Sequence, residues 1–370
     1  MVARTTPVRP ASGKARAEVE ELVTVIVPAK DEERSVAACV ESILDQRYRD
    51  LEVLVIDGGS TDGTREEVHR LERRDPRVRL LRAEGGIPSS LNEGLRAARG
   101  PWIVRVDAHA TVPPHYVDTL VGHLRTGRWG GVGGRKEGVA DDPVGRAIAA
   151  ALGSRFGVGN SMYHYGDRPA LVDHVPYGAY PTALLRQIGG WDEMLTANED
   201  FELDYRLRRM GYQLLFDPAV SIAWRSRTDI PALFQQYRRY GRGKADVVRL
   251  HPTSMQPRHA AAPALVALLT AAGLAIRRPR ISLALIGPYA AAVATATAAI
   301  LRRDRDRAAA PFVPAAFVAM HVGWGVGFWE QMLTKGLRRG GSGTDEPRRS
   351  AGRAERTRST SGPAGTTTKT

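Results

Sequence analysis

The sequence has a single cysteine, Cys39, among its 370 residues. One cysteine forms no intramolecular disulfide and no Cys-based zinc site, so both are excluded, and we expect Cys39 to be a buried structural thiol on the helix after the first strand. Residues 1–20 lack the apolar core of a secretory signal, so the globular part that follows should stay in the cytoplasm. No Gly-x-Gly-x-x-Gly follows the first predicted strand, which argues against a dinucleotide cofactor.

The net charge of +13 is distributed unevenly. Residues 21–276 contain 33 Lys or Arg against 32 Asp or Glu, whereas residues 277–307 contain seven against two and residues 335–370 contain nine against three. The basic excess therefore borders apolar stretches and fills a tail, as in proteins beside an anionic membrane face. Basic tails also attract nucleic acid, but no zinc-finger or RNP-type motif accompanies this one, so we expect no nucleic-acid partner.

Strands and helices alternate along the first third of the chain. The predicted strands are 22–28, 51–56, 78–82 and 102–106, and the predicted helices are 33–46, 65–74 and 89–98. This alternation predicts an α/β fold with a doubly wound, mostly parallel sheet and with ligands at the carboxyl ends of the strands. Residues 113–225 are less regular, and further helices are predicted at 200–210 and 230–240.

Three uncharged stretches follow, at 260–276, 281–301 and 308–329. The second and third reach the roughly 20 residues that cross a bilayer, and the first is short for it. Membrane helices are the favoured interpretation, and an Ala-rich helical subdomain in water is the alternative. The resulting domain prediction is a disordered leader (1–20), a catalytic domain (21–250), membrane-associated or transmembrane helices (258–334) and a disordered basic tail (335–370).

The orientation of these helices stays open. With the catalytic domain inside, three full spans would place the basic residues 277–280 and the tail outside, against the positive-inside tendency. If the first stretch lies in the interface, the tail returns inside, but the basic residues 302–307 go out.

The first chemical motif combines residues 28–33 with Asp57 at the end of the second strand. A carboxylate there can accept the imide N–H of a uracil or thymine ring, and the Gly- and Ser-rich residues 58–64 let the backbone approach the ligand. The alternative is that this loop only caps the next helix, with Thr61 or Asp62 as N-cap. We expect Asp62 and Thr64 to serve the cap and Asp57 to face the ligand.

The second motif is Asp107-Ala108-His109, directly after the fourth strand. Two ligating side chains at this spacing can hold a divalent ion that bridges two substrate phosphates and stabilises them as a leaving group. The alternative is a turn-capping Asp107 with a surface histidine. Imidazole favours Mn²⁺ over Mg²⁺ and binds metal only when neutral.

Two further motifs come later in the chain. In Asn198-Glu199-Asp200, one carboxylate can act as a general base, or the three residues can simply cap the following helix. In residues 235–244, Arg and Lys can hold a diphosphate and Tyr can stack on a sugar, or the segment is a basic helix on anionic lipid.

In this order the motifs resemble those of the family 2 glycosyltransferases, over about residues 22–245. The resemblance implies the GT-A fold, the nucleotide-diphospho-sugar transferase fold, followed here by C-terminal membrane helices. It implies that Asp57 recognises the uracil and that Asp200 is the catalytic base. The other residues that it implies are Pro28, Lys30, Glu32 and Asp107 for the donor, Asp107 and His109 for the metal, and Glu199, Gln236, Arg239 and Tyr240 for the acceptor or diphosphate.

Residues 104–110, 156–161 and 175–180 resemble the bacterial succinoglycan-type exopolysaccharide glucosyltransferases within this family. Three positions depart from the family pattern. His109 replaces the second aspartate of the metal motif. Lys30 replaces an aromatic residue that lies against the nucleobase. Tyr240 replaces the tryptophan of the last motif, and this replacement weakens any inference of processive synthesis.

The resemblance implies an inverting transfer of a hexose, with UDP-glucose as preferred donor, to a lipid-linked oligosaccharide or polysaccharide at the cytoplasmic face of the cell membrane. The expected cofactor is a divalent metal, with Mn²⁺ favoured. The expected partners are the nucleotide-sugar, the glycan or lipid-linked acceptor and membrane lipid. The alternative is a catalytically silent membrane module that binds nucleotide-sugar, against which the carboxylates at 57, 107 and 200 argue.

Overall fold

The computed structural model describes residues 21–339, with side chains as far as Thr334. The predicted leader lies outside the described residues, as does most of the predicted tail. The strands are β1 (Val23–Ala29), β2 (Leu51–Asp57), β3 (Val78–Arg82), β4 (Trp102–Arg105), β5 (Ala110–Thr111), β6 (Trp129–Val139), β7 (Ala170–Val172), β8 (Ala179–Pro181) and β9 (Gln213–Arg225).

Twelve α-helices occur in this part of the chain. They are α1 (Val36–Leu44), α2 (Thr64–Arg74), α3 (Ile87–Ala97), α4 (Tyr116–Leu124), α5 (Pro143–Leu152), α6 (Arg155–Val158), α7 (Thr182–Ile188), α8 (Glu199–Arg209), α9 (Ile230–Leu250), α10 (Pro257–Leu274), α11 (Pro279–Asp304) and α12 (Val313–Arg339).

The strands form one nine-stranded sheet in the order β3-β2-β1-β4-β8-β6-β9-β5, with β7 also paired to β9. The pairs within β3-β2-β1-β4 are all parallel, as predicted from the alternation of strands and helices. The second half of the sheet adds antiparallel pairs through β5, β7 and β8, so the whole sheet is mixed.

The parallel register brings the predicted motifs together. Ala29 of β1 lies opposite Asp57 of β2, and Ile26 of β1 lies opposite Arg105 of β4. Every residue of β2 is buried, because helices cover both faces of a parallel sheet. The carboxyl ends of β1, β2 and β4 therefore meet at one edge, where a doubly wound sheet binds its ligand.

Two local predictions differ in detail from the structure. The residue before α2 is Gly63, which makes no side-chain cap, but the Asp62 carboxylate accepts the Thr64 N–H at 3.0 Å. Helix α9 continues to Leu250 instead of ending near residue 240, because Gly241, which looks like a stop signal, packs within the helix against α12. Cys39 is fully buried in α1, as predicted.

Two helices of the described chain are long and apolar enough to cross a membrane: Pro279–Asp304 and Ala310–Thr334. They are buried to very different extents, with 11% of the first apolar segment and 50% of the second inside the protein. The first uncharged stretch of the sequence, residues 260–276, lies mostly in α10, which has 18 residues.

Candidate active site

The loops after β1 and β2 are joined by hydrogen bonds. The backbone N–H groups of Asp31, Glu32 and Glu33 donate to the side chains of Ser60, Thr64 and Asp62 at 3.0, 2.7 and 3.1 Å. In return, the Asp31 and Glu33 carboxylates accept the N–H groups of Thr61 and Gly63. The two predicted donor-binding loops therefore form one rigid rim at the edge of the sheet.

Asp57 ends β2 beneath this rim and is 2% exposed. Its Oδ1 accepts the backbone N–H of Ser60 at 3.0 Å, which orients the carboxylate within its own loop. Pro28 lies in β1 beside it, and Lys30 follows β1 with an exposed side chain. The three residues thus share one rim, and their roles toward a donor stay predictions.

Asp107 and His109 follow β4, and the His109 ring lies beside Glu32 of the first loop. The distance from His109 Nδ1 to Glu32 Oε1 is 2.9 Å. Burial favours a protonated Glu32, but the hydrogen bonds from His109 and Ser35 outweigh it and lower the pKa of this carboxyl. A carboxylate on one ring nitrogen is the usual way to orient a metal-binding histidine and leave its other nitrogen free.

The chemistry of this pair fits a divalent metal that is shared with substrate. No group of three or more His, Cys, Asp or Glu side chains in the described residues forms a metal cluster. Asp107 and His109 would therefore hold an ion only together with phosphate oxygens and water, which is how ions that bridge nucleotide phosphates are bound. One carboxylate and one oriented imidazole are ligands that suit a divalent metal ion.

Arg105, the last residue of β4, connects the metal motif to the Glu199-Asp200 motif. Its Nε donates to Asp107 Oδ1 at 2.9 Å, and its Nη1 donates to Asp200 Oδ2 at 2.5 Å and to Glu199 Oε1 at 3.1 Å. The Arg105 side chain is 4% exposed. One buried guanidinium thus holds Glu199 and Asp200, which lie 94 and 95 positions after Arg105 in the sequence.

Asp200 has a partner on each carboxylate oxygen. The Trp191 indole N–H donates to Oδ1 at 2.9 Å, while Arg105 holds Oδ2. Trp191 is in turn fixed by Asn92 of α3, whose side chain accepts a hydrogen bond from the Trp191 backbone N–H and donates one to the Trp191 carbonyl. Both oxygens are therefore oriented by groups that are themselves held in place.

The charges of this cluster depend on one another. Burial alone would raise the pKa of Asp107, but Arg105, His109 and Lys136 together outweigh it, so this pKa lies below its ordinary value. Burial, and then the neighbouring Asp200, raise the pKa of Glu199. The three carboxylates raise the pKa of Arg105 well above normal despite its burial. Removal of the guanidinium would leave three buried acidic groups without their shared counter-charge.

Lys136 of β6 provides a second cation next to Asp107. Its Nζ lies 3.9 Å from the centroid of the Trp224 ring and 5.1 Å from that of Tyr177. Burial of the ammonium group by these rings lowers its pKa to about 8, although Asp107 opposes the shift. Lys136 is therefore charged at neutral pH and can bind an anion.

Helix α9 brings the last motif to the same place. Gln236 Nε2 donates to the Tyr240 hydroxyl at 2.9 Å, and the guanidinium of Arg239 lies 5.9 Å from the Tyr240 ring centroid. The Asn198 side chain donates to the Tyr240 carbonyl at 2.9 Å, so it joins α9 to the start of α8 instead of capping α8. Gln236 Oε1 is buried and accepts no hydrogen bond from any described residue.

Four residues of the cluster were assigned no role from the sequence: Arg105, Lys136, Tyr177 and Trp191. One of them carried a usable signal, because Arg105 is a charged residue in an otherwise apolar strand, and such a side chain requires a buried partner. Lys136 and Trp191 stand among ordinary residues, and only the packing of β6 and of the 189–193 loop brings them to the site.

Comparisons with known proteins identify the family of the chain. The family model described as glycosyl transferase family 2 matches residues 24–187. Succinoglycan biosynthesis protein ExoA of Rhizobium meliloti is 32% identical over 322 residues, which are 84% of this chain and 94% of the relative. A dolichyl N-acetyl-alpha-D-glucosaminyl phosphate 3-beta-D-2,3-diacetamido-2,3-dideoxy-beta-D-glucuronosyltransferase of Methanococcus voltae is 23% identical, over 61% of this chain and 74% of the relative.

A solved structure is also similar. Mannosyltransferase PcManGT from Pyrobaculum calidifontis, determined in complex with GDP-Man and Mn²⁺, superposes with a TM-score of 0.55 at 21% identity. The superposition covers 85% of this chain and 90% of that one. At this level of identity the likeness establishes the fold.

Proposed function

The chain belongs to glycosyl transferase family 2, and we therefore propose that it is an inverting glycosyltransferase that moves a hexose, glucose by preference, from a UDP-sugar. Its predicted GT-A fold is confirmed, and its relatives support enzymatic sugar transfer. The proposed acceptor is a lipid-linked oligosaccharide or polysaccharide at the cytoplasmic membrane face. The names of the Rhizobium and Methanococcus relatives, which refer to succinoglycan biosynthesis and a dolichyl phosphate sugar, support this class of acceptor.

The observation that carries the proposal is the contact of Arg105 with Asp107, Glu199 and Asp200. Inverting sugar transfer requires that the leaving diphosphate and the attacking hydroxyl be held on opposite sides of one anomeric carbon. In this chain the residue proposed for the diphosphate side, Asp107, and the residue proposed as base, Asp200, are bound to the same buried side chain. Their separation is therefore set by a rigid element, as precise positioning requires.

In the proposed reaction, Asp200 accepts the proton of the acceptor hydroxyl. The acceptor oxygen attacks the anomeric carbon and forms the new glycosidic bond, while the bond from that carbon to the diphosphate oxygen breaks. The electron pair of the broken bond leaves with the nucleoside diphosphate, and the anomeric centre inverts. Each Asp200 oxygen has one partner in the structure, so a lone pair stays available for the proton.

On the donor side, we propose that Asp57 and its rim bind the uracil ring, with Pro28, Lys30 and Glu32 around it. Asp107 and His109 would hold a divalent metal, with Mn²⁺ preferred, and the metal when bound would offset the charge that develops on the diphosphate. Lys136 and Arg239 add protein cations for the same phosphates. These cations need no metal, so they provide electrostatic stabilisation of the leaving group in addition to it.

On the acceptor side, Glu199, Gln236 and Tyr240 line the approach to Asp200. The buried Gln236 Oε1 has no partner among the described residues, and an acceptor hydroxyl would satisfy it. The hydrogen bond from the Asn198 side chain to the Tyr240 carbonyl fixes α9 relative to the proposed catalytic base, Asp200.

The proposal is tested by presenting a set of nucleotide-sugars to membrane extracts that contain the protein and measuring both labelled lipid-linked product and nucleotide release. A sugar-specific product with release of UDP is the expected result. Binding of the nucleotide-sugar without turnover in the presence of acceptor would support the alternative of a silent binding module. Release of GDP or another nucleotide would overturn the assignment of the donor.

A further inference from the structure

The N-terminal half of α12 packs inside the catalytic domain. Val313, Phe317 and Met320 are at most 1% exposed and belong to the same core cluster as the central strands. The Phe317 ring meets Phe156 edge to face at 4.9 Å, and His321 Nε2 lies 2.9 Å from the Phe156 carbonyl oxygen. This part of α12 is therefore surrounded by a domain whose sheet edges and loops cannot lie in hydrocarbon.

The C-terminal half of α12 packs along α9. A Cβ at Gly327 would overlap the Arg238 carbonyl, and a Cβ at Gly241 would overlap the Trp324 carbonyl, so the two backbones are in direct contact. Farther along, Glu330 bonds both Arg238 and Arg242, with distances of 2.7 Å to each.

The contacts continue to the end of the apolar segment. Gln331 donates to Asp246 at 2.7 Å, and Arg249 donates to the Met332 carbonyl at 2.6 Å. If α12 crossed a bilayer, these charged groups of α9 would be carried toward it. Charged side chains are costly there, so α12 fits a helix of the catalytic domain better than a span.

Helices α10 and α11 form a hairpin whose ends are attached to the catalytic domain. At the start of α10, Arg258 and Gln256 bond Asp173, and after α11 Asp306 accepts a hydrogen bond from Arg146 at 2.7 Å. Trp329 of α12 donates to the Pro263 carbonyl at 2.9 Å, and Tyr289 of α11 lies 3.1 Å from His321. Beyond these contacts, residues 267–288 extend from the domain, and we call them the hairpin tip.

The hairpin tip is both apolar and basic. Its exposed large apolar side chains are Leu268, Leu274, Ile276, Ile281, Leu283 and Ile286, and Leu274 is 85% exposed. Arg277, Arg278 and Arg280 are exposed between them, and the tip contains no Asp or Glu. Exposed Leu and Ile beside arginines are the composition of an element that lies in the interface of an anionic bilayer.

The dimensions of the tip exclude a crossing. The free part of α11, from Pro279 to Pro288, is about 15 Å long at 1.5 Å per residue. A bilayer has a hydrocarbon core of about 30 Å. The free tip is therefore too short to reach the far side, and a perpendicular insertion would bury three arginines near the bilayer centre.

We infer that the hairpin tip is a membrane-binding element of the described chain, lying in the headgroup region of one anionic leaflet, and that α12 does not span the bilayer. The leucine and isoleucine side chains enter the acyl region, and the arginines extend to lipid phosphates. Both ends of the described chain then lie on the same side of the membrane as the catalytic domain. This inference goes beyond the proposed sugar transfer and does not depend on the identity of the sugar or acceptor.

The first experiment is flotation of the full chain with vesicles of equal parts phosphatidylglycerol and phosphatidylcholine. Leu274→Glu with Leu283→Glu should abolish flotation, and Gln at Arg277, Arg278 and Arg280 should lower vesicle affinity about ten-fold or more. The matched control is Leu171→Glu with Met210→Glu, which places two charges on exposed apolar positions of the catalytic domain and should float like wild type. An unchanged thermal unfolding curve shows that each variant is folded.

The result that overturns the assignment is flotation of the double Leu variant at the wild-type level. Wild type that fails to float but is a dimer converted to monomer by the same variant would also overturn it, because a second copy of the chain would then cover the tip. No sugar donor enters this assay, so its outcome is separate from that of the transfer assay.

The second experiment uses the buried Cys39 as a silent background for cysteine labelling. Arg280→Cys lies at the tip, and Arg302→Cys lies at the other end of the same helix, near the catalytic domain; both positions are exposed. With protein added to the outside of sealed vesicles, a membrane-impermeant maleimide should label both. If Arg280→Cys reacts only after the vesicles are opened while Arg302→Cys reacts at once, the hairpin crosses the bilayer and the inference is wrong.

Discussion

The carboxylate of Asp200 is held at both oxygens, by Arg105 and by Trp191. Asp200→Asn keeps the size of the side chain and can keep part of these contacts, but it removes the group that accepts a proton. We expect transfer to fall by a factor of about 10² to 10⁴, with UDP-sugar binding preserved. Calorimetric donor binding and product formation measure the two separately. Near-normal turnover of the variant would show that the base is elsewhere, with Glu199 as the next residue to test.

The effect of Arg105 on stability should depend on pH. The pKa of Asp107 lies below its ordinary value in the folded protein, so this carboxylate stabilises the fold above its unfolded pKa of about 3.9. That stabilisation is lost as pH falls through the lower folded value. The pKa of Glu199 is raised instead, so its proton is favoured by folding, and its contribution declines as pH rises.

Arg105→Met should therefore lower the free energy of unfolding more at about pH 8, where all three carboxyl groups lose their counter-charge, than at about pH 5, where protonation relieves the repulsion. We expect about 3–5 kcal/mol at the higher pH. Denaturant titrations at both pH values measure the difference, with Arg105→Lys as the control that retains the charge. A loss that is independent of pH would contradict a shared counter-charge.

His109 tests the metal assignment. If its imidazole binds the ion beside Asp107, His109→Ala should raise the metal concentration for half-maximal activity and reduce the preference for Mn²⁺ over Mg²⁺. His115→Ala is the control, because this nearby imidazole contacts the carbonyl of Ala219 and no carboxylate. Equal activity of wild type with both metals, unchanged in His109→Ala, would show that His109 is not a ligand.

At the scale of elements, the substitution of glycine by alanine can be compared at a closely packed position and at an open one. A Cβ at Gly327 of α12 would overlap the backbone of α9, while a Cβ at Gly287 of α11 would meet no atom within 4 Å. Gly327→Ala should lower the free energy of unfolding by about 1–3 kcal/mol through overpacking. Gly287→Ala should be neutral or stabilising by up to about 1 kcal/mol, because alanine favours a helix.

The same pair of variants also tests the role of α12 in activity. Helix α9 carries Gln236, Arg239 and Tyr240, so its displacement in Gly327→Ala should reduce turnover, and Gly287→Ala should retain it. Unfolding curves and transfer assays on both variants check this. Equal effects of the two substitutions would indicate that α12 does not position α9.

The positions of strands and helices were easier to predict than the tertiary contacts between them. The strands at β1, β2 and β3 follow the predicted ranges within a residue or two, because β-branched apolar runs between turn residues are local signals. Helix α9 is longer than predicted because Gly241 and Gly243, which resemble a stop signal, lie where the backbone carbonyls of Trp324 and Ala197 approach the helix closely. A glycine in one segment says nothing about which other segment will approach it.

At the scale of the whole molecule, the described residues 21–333 form one compact unit that includes α12 as far as Leu333. Removal of residues 310–370 would expose the core surface that Val313, Phe317 and Met320 cover. We expect this truncated chain to be insoluble or to lack a cooperative unfolding transition. Removal of residues 340–370 leaves every described contact intact and should not change the transition. Soluble, active protein after the longer deletion would show that α12 is only an anchor.

The sequence by itself determined the order of the chemical motifs and their place at strand ends. Asp57 and Asp107 each follow a recognisable apolar run, and side-chain periodicity is a local property that needs no knowledge of the fold. The family followed from the same motifs, because their residue types and order are read directly along the chain. The individual site roles, from Asp57 to Tyr240, stay predictions for the experiments above.

Only the tertiary structure decided how the motifs share charge and where the apolar helices lie. Arg105 meets Glu199 and Asp200 across more than ninety residues, a contact that no local pattern encodes. The apolar segments of α11 and α12 have similar mean hydropathies of 1.7 and 1.4, yet one is mostly exposed and the other half-buried. Hydropathy records how strongly a helix avoids water, and either a bilayer or a protein core satisfies that requirement, so the choice depends on what the rest of the chain places beside it.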